Sequence, residues 1–303
     1  MSVETIEFEN GIPVKAFIRG GYQHPYHWHA ALEILLVLKG SVNLGVGDHK
    51  LTLRQNDIAI VNMEEVHRID SNQKDAENNK ILFIQVDSAF YRNLLPEESY
   101  TFLYCCSPYH EAVLPGKYKA VKEYIARLLR AIAEKPEKDY KSNIGKTLSS
   151  MLFYISYNFD FLRWGFGTTP FNEKIVKRLR QIAMHVMSND EIKLKLKELA
   201  DEAGISLQHL SYDIKNKFGL TFQELLNYGK CEYAARLLLG TDKRIIDIAL
   251  ECGFSDVKYF VKSFKQHFIF NPSKFRKIYR AENKKPRADY REYPLSHALK
   301  KRS

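Results

Sequence analysis

Two groups of side chains in this chain have the types and spacings to do chemistry. The first is Gly21-x5-His27-Trp28-His29-x3-Glu33-x6-Gly40. Residues two apart on a strand point to one face, so His27 and His29 present their imidazoles together while Trp28 packs on the other side. Imidazoles and a carboxylate can ligate a transition metal, or they can hydrogen-bond the hydroxyl and acid groups of a small molecule. The second group is one sentence written twice. Leu196-Lys-Glu-Leu199-Ala200-Asp-Glu202-Ala-Gly204-Ile-Ser206 returns as Ile245-Ile-Asp-Ile248-Ala249-Leu-Glu251-Cys-Gly253-Phe-Ser255, 49 residues later. Beyond the turn the offset is 50, pairing Leu210 with Phe260, Ile214 with Phe264, Lys215 with Lys265 and Phe218 with Phe268. A short apolar helix, a glycine turn and a second capped helix make a helix-turn-helix, whose second helix enters the major groove of double-stranded DNA.

On those second helices the residues off the core face are Gln208, Ser211 and Tyr212 in the first copy, and Val257, Lys258 and Lys262 in the second. Gln bonds adenine N6/N7, Lys bonds guanine O6/N7, and Val257 can pack on a thymine methyl. Lys215, Lys265, Lys274, Arg276 and Lys277 are read as phosphate contacts. The segment Asp247-Ile-Ala249-Leu-Glu251-Cys-Gly253-Phe254-Ser255-Asp256, followed by Tyr259-Phe260, Phe264-Lys265, Pro272-Ser and Phe275-Arg276, resembles the DNA-binding domain of the AraC/XylS family of bacterial transcription regulators. Four positions depart from that pattern. Ile269 stands at a helix end where Gly is usual, and Lys258 where Ser is common. Lys230-Cys231 replaces Arg-Leu, and Asp213 takes a position that is commonly apolar. Because its repeat partner is Ser263, Asp213 is expected to be half-exposed.

The histidine segment resembles the first motif of the cupin fold, and His67 stands where the second motif has its last ligand. That second motif is degraded, with Asn56, Asn62 and Glu64 where Gly, Pro and Gly are usual. The resemblance implies two uses for His27, His29, Glu33 and His67. They line an effector pocket, which is the reading adopted, with no metal and no cofactor. Alternatively they form a three-His, one-carboxylate set for Fe, Mn, Ni or Zn.

The elements that must position these groups follow from periodicity. Residues 33–38, 42–46, 51–53, 57–61 and 81–86 read as strands, with a hairpin turn at 46–50. Val121 to Ile132 and Ile144 to Ile155 recur at helical spacing. A helix is expected after Asn172, and Thr221-Phe-Gln-Glu224 is a capping box opening a helix that ends at Gly240. That helix, about eighteen residues, is a rod of ~27 Å, near the ~34 Å between successive major-groove faces.

The fold class expected is multidomain α+β. An N-terminal cupin-like double-stranded β-barrel with two helices precedes a C-terminal all-α domain with two helix-turn-helix units. The boundaries are 1–110 for the effector domain and 111–160 for a helical dimerisation or support segment. A linker covers 161–172, the DNA-binding domain 173–280, and a basic, disordered tail 281–303.

Charge divides the same way. From Glu173 onward lie 27 of the 46 Lys+Arg but only 16 of the 36 Asp+Glu, a net +11 against −1 for the rest. A basic half suits a polyanion and a near-neutral half a small partner. Four cysteines, two of them adjacent, make no disulfide framework. No run is long enough for a transmembrane helix, the first residues do not read as a secretory signal, and a cytoplasmic protein is expected. No nucleophile triad, phosphate loop or cysteine metal cluster supports an enzyme.

The function expected is therefore a sequence-specific transcription regulator, not an enzyme. A small-molecule effector of the sugar or related metabolite class controls it from the barrel. The alternative is a metal-dependent cupin enzyme, or a metal sensor, fused to a DNA-binding domain. The partners implied are double-stranded DNA, the effector, RNA polymerase and a second copy as homodimer, with no membrane.

Overall fold

The computed structural model describes residues 4–21, 23–46, 49–71, 79–95, 103, 105–133, 139–159, 195–218, 220–284 and 291–299. It divides into two compact units. Among the described residues, a barrel unit takes 4–95, 103–159 and 291–299, and a helical unit takes 195–284. The helix expected after Asn172, the 161–172 linker and the tip of the 46–50 hairpin lie outside the described residues.

The barrel unit is two antiparallel sheets. Its strands are β1 (Val14–Gly20), β2 (Gln23–His27), β3 (Leu32–Lys39), β4 (Ser41–Val46), β5 (His49–Arg54), β6 (Ile58–Val61), β7 (His67–Ser71), β8 (Lys80–Val86) and β9 (Arg291–Tyr293). One sheet runs β6-β3-β8-β1-β9 and the other β2-β7-β4-β5. Strands β3 and β8 are buried on both faces because helices cover the outer one. These are α1 (Ser88–Leu94), α2 (Ser107–His110), α3 (Pro115–Ala133) and α4 (Tyr140–Asn158). Leu32, Ile34, Leu82, Ile84 and Ile18 share one core with Val121, Ile125, Leu128, Leu148 and Leu152. Alternation then turns Glu33, Leu35, Gln85 and Phe83 to the inner face. Gly40 turns β3 into β4 at φ 77, and a side chain there would run into Asn79. Asn56 and Glu64, the non-glycines of the degraded motif, also hold positive φ, at 77 and 61.

The tail departs from expectation. Disorder was inferred for 281–303, but α10 (Pro272–Lys284) continues past 280, and β9 pairs antiparallel with the edge of β1 at Ile18–Gly20. Glu292 pairs with Arg19 at 3.4 Å, Lys80 lies over the Tyr293 ring at 4.4 Å, and α11 (Ser296–Leu299) packs by Leu299 on the barrel core. The strand forms because β1 offers unpaired backbone groups, a cause remote in sequence from the tail.

In the helical unit the repeat becomes two pairs of equal size. They are α5 (Leu196–Glu202) with α6 (Leu207–Phe218), and α8 (Ile245–Glu251) with α9 (Val257–Phe268), joined by α7 (Phe222–Gly240). Gly204 and Gly253 make the two turns at φ 64 and 72. Thr221 and Glu224 form the capping box, with Glu224 N donating to Thr221 Oγ1 at 3.2 Å. The first core is aliphatic, with Leu199, Leu210, Ile214 and Leu225; the second stacks Phe260, Phe264, Phe268 and Phe275. Asp213 and Ser263 are buried, not half-exposed: Asp213 lies 3.6 Å from His209 across one helical turn. Tyr259, whose spacing also suits the inner face, is 44% exposed, with its hydroxyl on Asn227.

Ile269 closes α9 at φ 69, ψ −34, and Phe270 N reaches Phe268 O at 2.7 Å. This is a γ-turn of the strained hand, on a β-branched residue. Ile269→Gly is expected to stabilise the helical unit by about 1 kcal/mol, strain relief exceeding the entropy that glycine adds to the unfolded chain. Urea unfolding measures it, and a lower midpoint would mean that the isoleucine side chain contributes more packing than its backbone costs.

Candidate functional site

The inner face of the barrel gathers four histidines and two carboxylates. Glu33 on β3 sits opposite Gln85 on β8, and Gln85 Nε2 donates to Glu33 Oε2 at 2.8 Å. His29 Nε2 pairs with the same oxygen at 3.4 Å, and His67 Nε2 lies 3.7 Å from Glu33 Oε1. His27 and His67 are cross-strand partners, with ring centroids 4.2 Å apart. The four residues expected to act together are thus brought together, all buried. Trp28 is half-buried.

Two members were missed in the sequence. His24 packs on His27 at 3.5 Å between ring centroids, and Glu4 Oε2 lies 3.7 Å from His24 Nε2 and 3.6 Å from His27 Nε2. Residues three apart on a regular strand face opposite ways. An irregularity in the β2–β7 register between His24 and His27 brings these two together. The signal was Pro25 between them, since proline inside a strand marks a bulge or an edge.

Every imidazole is locked by a backbone carbonyl. His24 Nδ1 and His27 Nδ1 both meet Pro25 O, at 3.1 and 2.9 Å. His29 Nδ1 meets Ala31 O at 3.0 Å, and His67 Nδ1 meets Glu65 O at 2.9 Å. A carbonyl only accepts, so each Nδ1 carries the proton and each Nε2 faces the cluster. His67 Nε2 and Glu33 Oε1 find no hydrogen-bond partner among the described residues. The site therefore offers acceptors and calls for a donor or a cation. The His27, His29 and His67 trio, with ligand atoms within 4.8 Å of one another, fits a transition metal in donor type, and each ring is oriented by the carbonyl at its Nδ1. Glu33 Oε1, 3.7 Å from His67 Nε2, could join as a fourth donor.

The electrostatics follow from burial. Burial opposes ionisation of Glu33, but the hydrogen bond and charge of His29, with His67 and Gln85, outweigh it and hold the carboxyl at about 2. Burial also opposes the charge on His29, yet Glu33 raises its pKa. His67 is pushed down to about 4 by burial and by His29, against the pull of Glu33. His27 lies well below its ordinary value, through burial and then through His67, His24 and His29.

The nucleic-acid candidates lie on α6 and α9. Gln208, Ser211, Tyr212 and Lys215 are exposed, Tyr212 at 68%. On α9, Lys258, Lys262 and Lys265 are exposed and Val257 half-buried. Lys215 is also 4.0 Å from Glu224. Ser206 Oγ and Asp256 Oδ1 cap the two helices, accepting from His209 N at 3.2 Å and Tyr259 N at 2.8 Å. On α10, Lys274 and Lys277 are exposed, whereas Arg276, read as a phosphate contact, turns inward. Its guanidinium donates to Leu238 O at 3.3 Å and Lys243 O at 2.7 Å, and Arg280 joins it on Leu238 O at 3.1 Å. Both close the carbonyl end of α7.

Unfolded histidine takes its proton near pH ~6.5, but folded His27 and His67 refuse it until far lower, so stability falls as pH drops from about 6.5 towards 4. His29 acts oppositely: its contribution is full below the unfolded value and is lost as pH rises through its raised folded pKa. The contribution of Glu33 persists above its unfolded value and is lost only as pH falls towards 2. Two lowered imidazoles against one raised leave a net loss on acidification. In chelator-containing buffer, the thermal midpoint of the barrel unit is expected to fall from about pH 7 to about pH 5, and to fall less in His67→Gln. A flat or rising midpoint would contradict this charge assignment.

Comparison with known proteins gives the same two parts. Residues 16–146 match the model of an AraC-like ligand binding domain, and residues 199–278 that of a helix-turn-helix domain. The HTH-type transcriptional activator RhaS of Yersinia pestis is 24% identical over 261 residues, covering 83% of this chain and 89% of that protein. An uncharacterized HTH-type transcriptional regulator of Staphylococcus aureus is 24% identical over 249 residues, 81% of this chain. The chain spans 31% of the length of that relative. Among solved structures, ToxT from Vibrio cholerae aligns over 88% of this chain and 98% of its own, at 15% identity and a TM-score of 0.46. The two matched domains, in this order and over more than half of the chain, mean that it belongs to the AraC/XylS family of transcription regulators.

Proposed function

We propose that the protein binds specific double-stranded DNA through α6 and α9 and regulates transcription in response to a small molecule held by the barrel. The observation that carries this is the repeat in three dimensions. Helix pairs of 7 and 12 residues occur twice, each longer helix capped at its start and exposing polar side chains there. The connecting α7, 19 residues long, is a rod of about 28 Å. We assign base reading to Gln208, Ser211 and Tyr212 and to Val257, Lys258 and Lys262, and phosphate contacts to Lys215 and Lys265.

The effector is assigned to His27, His29, Glu33 and His67. Buried acceptors that lack donors suit a ligand rich in hydroxyl groups, of the sugar class or a related metabolite. Its relatives act in transcription, which favours a regulator over an enzyme and a cytoplasmic setting with RNA polymerase as a further partner. Among the described residues no helix is long and apolar enough to cross a membrane. A homodimer is supported by Phe153 and Tyr157, exposed at one-turn spacing on α4.

Selection from a randomised duplex library is expected to return an asymmetric site. On it, Lys262→Ala and Gln208→Ala should each lose ~1–3 kcal/mol and relax preference at one base pair. Anisotropy titrations showing unchanged affinity and preference in both variants would refute the docking.

A further inference from the structure

We infer that Glu4, His24 and His27 form a binding site for one divalent transition-metal ion, at the end of the histidine cluster away from Glu33. Their ligand atoms lie within 4.8 Å of one another. Three features of the backbone build the site. The bulge in β2 aims two histidines, three residues apart, at one point. One carbonyl, Pro25 O, accepts Nδ1–H from both rings and so fixes both Nε2 lone pairs inward. Metal-ligating histidines are oriented in just this way, by giving the other ring N–H to a carbonyl or carboxylate. The third feature is the hydrogen bond from Glu4 N to Trp28 O, 3.1 Å, which holds the first segment against the strand that carries the histidines.

The donor set has the right dimensions. Ligands about 2.0–2.1 Å from a tetrahedral ion sit about 3.3 Å from one another. Glu4 Oε2 is 3.6 Å from His27 Nε2 and 3.7 Å from His24 Nε2, beyond hydrogen-bond reach and near that edge length. Two imidazoles and one carboxylate are a donor set for Zn(II), Fe(II), Co(II) or Ni(II), with positions left open for water or for oxygen atoms of a small molecule. At the opposite end Glu33 is already engaged by Gln85 and His29. The Glu4 side chain is 19% exposed, against 3% for Glu33, so an ion can enter from solvent at this end. Bound there, the ion would pin the first residues of the barrel unit to β2. This goes beyond the effector reading and is tested separately, because DNA selection does not depend on it.

The full chain, stripped with chelator, would be titrated with Co(II) and followed by its visible absorption, with elemental analysis for stoichiometry. One Co(II) per chain is expected, displaced by Zn(II). His24→Gln and Glu4→Gln should each weaken Co(II) binding about tenfold or more, and each by more than Glu33→Gln does. Circular dichroism melts report whether each variant folds; if His24→Gln does not, Glu4→Gln decides, because its side chain is not fully buried. Absence of Co(II) uptake would overturn the inference. So would uptake that is indifferent to Glu4→Gln, or that is abolished by Glu33→Gln alone, which would place the ion at the other end of the cluster.

Discussion

A carboxylate buried inside the barrel is the constraint on which the rest of the sensor site depends. Removing the Glu33 charge from water costs several kcal/mol unless hydrogen bonds and an opposite charge replace the solvent. Here Gln85 and His29 do so. That demand sets the β3–β8 register, since Glu33 must face Gln85, and it sets the charge on His29. His27 and His67 are then held neutral, because burial opposes their charge and the neighbouring histidines repel a further proton. Their neutrality makes the cluster a set of lone pairs, which is what a ligand or an ion would meet.

The outer face of the same sheet makes this polar interior tolerable. Ile34 and Ile84 alternate with Glu33 and Gln85 and pack under α3 and α4. The strands therefore gain their hydrophobic burial on the side away from the site. In the helical unit the division is different. Two units share a backbone plan but not a core, one aliphatic and one built from stacked phenylalanines, and the aromatic one carries the additional buried pair of His267 with Glu232 at 2.8 Å. Arg276 and Arg280 tie that second unit to the end of α7 through main-chain carbonyls.

Much of this was legible in the sequence because it is local or periodic. The capping box, the glycine turns and the paired helices are written in consecutive residues. The strands 33–38 and 81–86 are apolar runs interrupted only by Glu33 and Gln85. What escaped depends on contacts remote in sequence. Strand β1 reads Val-Lys-Ala-Phe-Ile-Arg-Gly, without clean alternation, and both of its neighbours come from far along the chain. His24 was hidden because its direction depends on a bulge. Arg276 looked like a phosphate ligand because exposure cannot be read from residue type. Asp213 looked misplaced because its partner, His209, lies one turn back. All four cysteines are free and buried.

The strand contributed by Arg291–Tyr293 makes the sensor discontinuous in sequence: its fifth strand is encoded after the helical unit. A fragment ended at residue 160 would therefore not be a sensor domain with its sheet intact. It would carry β1 as a bare edge, with Ile18 and Gly20 offering open backbone groups to any passing strand. Self-association of such a fragment would report the missing strand and not a property of the native chain. A change to residues 291–293, far along the chain from β1, would therefore reach the barrel unit.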